Sequence, residues 1–240
     1  AVWAMLSTRP SVAACSTASR RVQEMCARFG VDTYTSALNA LLDRNYRAMK
    51  TLLSMVFEEG KPLSFTDYID DDGRGFGPYE LKMTITRTGD KVLIDLTGSS
   101  PQAQGPINYY IHENLIRMFF GIYMITVADP QILWNDGFYP LVDVEIPDDT
   151  FWKPRYPAAL NGRNHGIGRL FDLFGGLLGQ ANPDLLNGAG FSSSPHFMYS
   201  GNYSSGDRRG EWFQLYSIGF GGIPGRPVGD GPDGHSLWPS

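Results

Sequence analysis

Apolar residues recur at helical spacing through the first sixty positions. In residues 19–29 (SRRVQEMCARF), Val22, Met25, Cys26 and Phe29 fall at i, i+3, i+4 and i+7, one face of a helix. Gly30 follows at a C-terminal stop position, and Asp32 or Thr33 is placed to cap a second helix. That helix carries Leu38, Leu41, Leu42, Tyr46, Met49, Leu52, Leu53 and Val56 on one stripe, with Arg44, Arg47 and Lys50 largely off it, and Gly60 and Pro62 end it. The pattern predicts a helical hairpin packed on something larger.

The period then drops to two. Leu81, Met83 and Ile85 alternate with Lys82, Thr84 and Thr86, and Val92, Ile94 and Leu96 alternate with Leu93, Asp95 and Thr97. Thr88-Gly89-Asp90 between them supplies the turn of an antiparallel hairpin, which an earlier strand at 64–68 joins. A loop rich in Ser, Pro and Gly covers 99–108. Residues 113–128 are apolar on most sides and predict a buried helix. Leu141, Val142, Val144 and Ile146 predict a strand. A helix from about Gly168 carries Leu170, Phe171, Phe174, Leu177 and Leu178. The last eighty residues hold 18 of the 28 glycines and no lysine, with strand-like pieces at 196–200 and 212–220 between glycine loops. The fold class expected is α+β: a helical segment over 1–60, then a mixed segment over 61–240 of antiparallel strands, buried helices and a glycine-rich C-terminal region.

Composition narrows the function classes. The 240 residues are 42% hydrophobic and 19% charged, enough for a sizeable core. A net charge of −5 argues against nucleic acid, which requires a basic face. The longest apolar run, 118–128, is too short to span a membrane, which takes about 20 residues. Cys15 and Cys26 form no CxxC pair and no zinc spacing, so free thiols in a reducing, cytoplasmic compartment are the simpler reading. No secretory signal is visible. The absence of an initiator Met and the abrupt end suggest an internal fragment of a longer polypeptide.

Three segments are candidates for chemistry. Asp70-Asp71-Asp72-Gly73 superficially resembles a calcium loop, but position twelve is Leu81 instead of Glu, so a turn between strands is the better reading. Asn161-Gly162-Arg163-Asn164-His165-Gly166 precedes an apolar helix. Backbone N–H groups there suit an anion, with Arg163 as charge partner and His165 as donor or base; the alternative is helix capping plus an Asn that braces a loop. The run 219–238 gathers seven glycines around Arg226, Asp230, Asp233 and His235, a structural or substrate-facing loop that lacks the P-loop pattern and defines no metal site. No Gly-x-Ser-x-Gly or HExxH occurs, and His112 and His196, set among aromatic residues, read as core or boundary histidines.

The combination of PLSFTDYIDDDG, the hairpin ending IDLTGSSPQAQGPIN, NDGFYPLVDVEIP and GGIPGRPVGDGPDG resembles the hydantoinase B/oxoprolinase family over nearly the whole chain. Within it, SSSPHFMYSG and the stretch GEWFQLYSIGFGGIPGRPVGDGPDGHSLWP are most similar to the large subunit of ketone carboxylases of the acetone carboxylase type. The resemblance implies a subunit of an ATP-dependent enzyme in a hetero-oligomer. ATP and Mg²⁺ sit on a hydantoinase A-like partner, and a small third subunit accompanies them in the carboxylase branch. There bicarbonate becomes carboxyphosphate, the ketone becomes an enol phosphate, and carbon dioxide is joined to the enolate in a ligase reaction. In the hydantoinase or 5-oxoprolinase branch, the same pairing hydrolyses a cyclic amide.

The metal-binding motifs of these subunits, for Mn or for Zn or Fe, lie upstream of this segment, so no metal ligand carries over and the segment alone is expected to be inactive. On the matched positions, Asn164 and His165 are expected to face substrate. Arg163, Arg226, Asp233 and His235 are substrate-binding candidates, with an Arg226–Asp233 ion pair holding the glycine loop.

Overall fold

The computed structural model describes residues 2–160, 162, 164–188, 196–203, 210–218, 225–227 and 229–231. It is an α+β fold. Two helices, α1 (Val2–Phe29) and α2 (Val31–Val56), are followed by three strands, β1 (Leu63–Ile69), β2 (Tyr79–Thr88) and β3 (Lys91–Asp95). Then come α3 (Glu113–Ala128), a 3₁₀ turn at Asp136–Leu141, β4 (Val142–Glu145), α4 (Asn164–Ala181), and a separate pair of strands, β5 (His196–Asn202) and β6 (Glu211–Ile218).

The first sheet has strand order β1-β2-β3-β4. The hairpin read from the alternation is present, with Ile85 opposite Ile94, and β1 runs antiparallel along β2 with Phe65 opposite Met83. β4 instead lies parallel to β3, Ile94 beside Val144. The sheet is therefore mixed where antiparallel strands were expected. The cause is the crossover: a parallel neighbour needs a long connection, and α3 lies within it.

Period two puts Leu81, Met83 and Ile85 of β2 and Val92 and Ile94 of β3 on one face, all buried. α3, α4 and the end of α2 cover that face. The centre is aromatic: the Phe120 ring of α3 lies 6.4 Å from Phe57 and 5.6 Å from Phe174 of α4, and Tyr123 lies 5.9 Å from Phe174. Full burial of side chains of this size contributes about 1.5–3 kcal/mol each.

The N-terminal helices meet at Gly30, whose φ of 85° is open to glycine and strained for other residues. Gly30, with no capping side chain, starts α2, so the helix begins before Asp32 or Thr33 can cap it. The second half of α2 docks Met49, Leu52 and Leu53 into the core. The α1 stripe stays out of it: Val22, Met25 and Phe29 are exposed, as are Leu38, Leu41 and Leu42 at the start of α2. The two stripes found in the sequence thus do not bury one another.

Candidate functional site

The acidic turn after β1 is an anchor. Asp72 is 1% exposed. Its Oδ1 accepts from the N–H of Arg74 (2.9 Å) and Phe76 (3.2 Å), and its Oδ2 from the Tyr79 hydroxyl (3.1 Å) and the N–H of Gly105 (2.7 Å). Burial pushes this carboxyl up, but the three backbone N–H groups and the Tyr79 hydroxyl outweigh it and hold it below its usual 3.8. The Tyr79 hydroxyl is pushed up, by burial and then by Asp72. Gly105 has no alternative residue here, because a Cβ would lie 2.4 Å from the Asp72 carbonyl oxygen. The turn reading of Asp70–Gly73 therefore holds, and one of its aspartates ties down the loop at 99–108.

Asn108 continues that tie. It is fully buried, accepts from Ala103 N–H (2.7 Å) and donates to the carbonyls of Ala103 (2.8 Å), Gly105 (3.3 Å) and Ala159 (3.1 Å). Gly162 N–H bonds to the Pro106 carbonyl. Ser99 Oγ accepts from Trp152 Nε1 (3.0 Å) and donates to the Lys82 carbonyl. A chain of fixed contacts thus runs from Asp72 through Gly105 and Asn108 to the segment that launches α4.

α4 begins at Asn164, one turn earlier than the apolar spacing indicated. Gly166 makes that possible: a Cβ there would approach the Phe151 ring (2.9 Å) and the Tyr109 Cβ (3.0 Å), so the first turn rests directly on both residues. Asn164 is half-buried and His165 is at the surface. Desolvation of its ring, and then the charge of Arg169 one turn on, push the His165 imidazole below its usual 6.5. At neutral pH it is therefore a neutral ring able to accept a proton.

Beyond His165, α4 borders a cavity of about 410 Å³ whose walls come from β1, α3, α4 and residues 186–188. Arg169 bridges two carboxylates there, Nη1 to Asp67 Oδ2 and Nη2 to Asp172 Oδ2, both at 2.8 Å. The Tyr123 hydroxyl accepts from Asn187 Nδ2 at 2.9 Å; burial, with the Asp172 charge adding to it, pushes the phenol up, so it stays protonated. Gln180 Nε2 donates to the Ser64 carbonyl (2.9 Å).

Arg226 reaches this region through the backbone. Gly188, on the cavity wall, donates to the Gly225 carbonyl at 2.9 Å, and Arg226 and Gly229 exchange backbone bonds in a tight turn. The Arg226 side chain is exposed. Arg163, Asp233 and His235 lie outside the described residues, and with them the Arg226–Asp233 pair. Asp230 is exposed. His112 is not a core histidine: it is an exposed cap of α3, its Nδ1 accepting from Asn114 N–H at 3.1 Å. The His196 side chain also lies outside the description.

The cavity residues Asp67, Tyr123, Arg169, Asp172 and Asn187 were missed in the sequence. Arg169 and Asp172, at i and i+3 and off the apolar set of α4, were the available signal. The meeting of Arg169 with Asp67 across 102 positions was not.

Among the described residues, no group of three or more His, Cys, Asp or Glu lies close enough to hold a metal ion. No helix among them is long and apolar enough to cross a membrane.

Comparison with known proteins places this architecture. Caprolactamase subunit beta of Pseudomonas jessenii is 30% identical over 149 residues, 60% of this chain and 24% of that subunit. The acetophenone carboxylase delta subunit of Aromatoleum aromaticum is 26% identical over 153 residues, 61% of this chain and 22% of that subunit. In structure, nucleotide-free acetone carboxylase superposes with a TM-score of 0.73 at 15% identity, over 97% of this chain and 32% of that one, and shares its fold. This chain therefore spans between a fifth and a third of the length of these relatives. The Hydantoinase B/oxoprolinase family profile matches residues 4–240, and the chain belongs to that family.

Proposed function

We propose that this chain is part of the large subunit of an ATP-dependent ketone carboxylase that converts a ketone and bicarbonate into a 3-oxo acid. The observation that carries the reading is the likeness to a carboxylase subunit in sequence, together with the glycine-rich C-terminal stretch whose described turn, at Arg226, is tied to the cavity wall through Gly188. In this reading a hydantoinase A-like partner binds ATP and Mg²⁺ and phosphorylates bicarbonate and ketone. The upstream part of the subunit holds the metal.

The described residues supply the platform. Asp72 and Asn108 fix the approach to α4, Asn164 and His165 present its first turn, and the neutral His165 ring is suited to take or return a proton at the substrate carbon or oxygen. Phosphorylation traps the ketone as its enol phosphate, with a proton lost from the α-carbon. Cleavage of the P–O bond passes the phosphoryl group to water and leaves the oxygen on carbon as the enolate, whose carbon forms the new bond to the carbon dioxide released when carboxyphosphate loses its own phosphate.

The second reading, opening of a cyclic amide with ATP, is favoured by the 30% identity to a caprolactamase subunit. The two separate in one experiment on the full-length subunit co-expressed with its neighbours. With acetone or acetophenone, labelled bicarbonate, ATP, Mg²⁺ and Mn²⁺, the carboxylase reading predicts ATP-dependent label in a 3-oxo acid. ATP-dependent opening of caprolactam, hydantoin or 5-oxoproline without such label would replace it by the second.

A further inference from the structure

His165 and Arg169 stand at i and i+4 on α4, so they share one face of the helix, with Cβ atoms about 5–6 Å apart. Helical side chains lean toward the N-terminus, and Arg169 therefore leans back over the turn that carries His165. Its guanidinium is held from two sides. Nη1 donates to Asp67 Oδ2 of β1, and Nη2 meets Asp172 Oδ2 of its own helix, both at 2.8 Å. Asp67 is fixed in turn, because its Oδ1 accepts from the Tyr68 N–H at 2.8 Å. The side chains of Arg169 and Asp67 are each 21% exposed and that of Asp172 13%, so water and salt screen the cluster only in part.

Distance ranks these charges at the imidazole. Arg169 is one turn from His165, about 6 Å along the axis, and Asp172 is about 10 Å along it. Asp67 reaches the helix through the guanidinium. Coulomb attraction and repulsion fall with separation, so the nearer positive charge prevails, in accord with the direction in which burial and then Arg169 push the ring, below 6.5. The first turn of α4 also packs on Phe151, on Tyr109 and on the loop through Pro106. Of these only Tyr109 can titrate, and a phenol stays uncharged over the range in which an imidazole titrates. Arg163, outside the described residues, keeps its charge throughout that range.

We propose that Arg169 is a positioning residue for His165: the clamp of Asp67 and Asp172 holds its charge one turn from the imidazole, and that fixed charge keeps the ring in its neutral, proton-accepting form. β1 thereby takes part in the site, since Asp67 helps to set where the charge stands. The use of the ring as a base rests on the reading above, whereas the clamp is tested without turnover.

Diethyl pyrocarbonate acylates the neutral imidazole and not the protonated one. Its rate at His165 against pH, read by peptide mass spectrometry on the full-length subunit in its complex, gives the midpoint of the ring's titration. His165 is at the surface and open to the reagent. The wild type is expected to have its midpoint below 6.5. Arg169→Gln moves it up toward 6.5 without reaching it, because burial remains. Arg169→Lys keeps the charge and restores a midpoint close to the wild type. Asp67→Asn leaves an oxygen for the guanidinium but removes an opposing charge, so the midpoint moves down. Loss of packing would move both Arg169→Gln and Asp67→Asn up, so the opposite signs separate charge from structure. Equal midpoints in the wild type and Arg169→Gln, or an equal or higher midpoint in Asp67→Asn, overturns the proposal. Should Arg169→Gln fail to fold, Asp67→Asn decides alone by the same criterion. In the carboxylation assay, the acidic limb of the pH–rate profile follows these midpoints when His165 is the base. Midpoints that move as predicted while the limb stays in place support the clamp and remove His165 from the reaction.

Discussion

At the scale of single residues, the anchor of the site is a carboxylate. Asp72 is held below its usual 3.8 by hydrogen bonds that outweigh its burial. Its unfolded value is higher than its folded one, so it binds protons more readily when the chain unfolds. Its contribution is therefore fully present above about pH 5, and is lost as pH falls through 3.8 to the depressed folded value. An acid titration of thermal stability should show the wild type losing melting temperature over that window. Asp72→Asn should be less stable at pH 7 and flatter with acid. A variant with the wild-type acid profile would show that Asp72 is not the anchor. His165 has the opposite exposure and the same sign: with its pKa lowered, the fold favours the neutral ring, and the stability linked to that form is lost as pH falls below 6.5. The chemistry of Asp72 was legible only as a turn, because the partners that make it an anchor, Tyr79 and Gly105, are seven and 33 positions away.

Among elements, α4 matters most, since it carries His165, the cavity floor and much of the core. Its apolar set was plain in the sequence, and Leu170, Phe174, Leu177 and Leu178 are indeed buried. Its first turn was not, because Asn164, His165 and Gly166 are poor local helix signals and the turn is held by Phe151 and Tyr109 from elsewhere in the chain. α3 shows the contrary case: a long apolar run fixes its bounds at 113–128 as read, with the His112 cap just outside. β4 was legible as a strand and not as a parallel one, since its partner is chosen by the crossover and not by its own residues. The close fit of α4 on β1 gives a direct test. Gly176→Ala places a methyl 2.5 Å from the Phe65 ring, so helix and strand must part. The expected cost is about 1–3 kcal/mol in a urea unfolding experiment. A neutral substitution would mean that α4 and β1 are not in close contact.

For the whole molecule, periodicity was enough to give the α+β class, and the order of four sequence segments was enough to indicate the family. Burial was less legible. The stripe of α1 looks like any core-facing helix, yet Met25 and Phe29 are exposed, because amphipathic spacing shows that a face is apolar and not what covers it. The cavity was not legible at all, as it draws on four separate parts of the chain. What joins these scales is one line of contacts from Asp72 through Asn108 to the first turn of α4, which carries His165, the residue proposed to handle the proton. The most direct measurement compares the wild-type full-length complex with His165→Ala for ATP-dependent formation of labelled 3-oxo acid, alongside the melting temperature of each. The account predicts label in the wild type and a loss of about 10²-fold or more in the variant at unchanged melting temperature. Equal product from both complexes would contradict it.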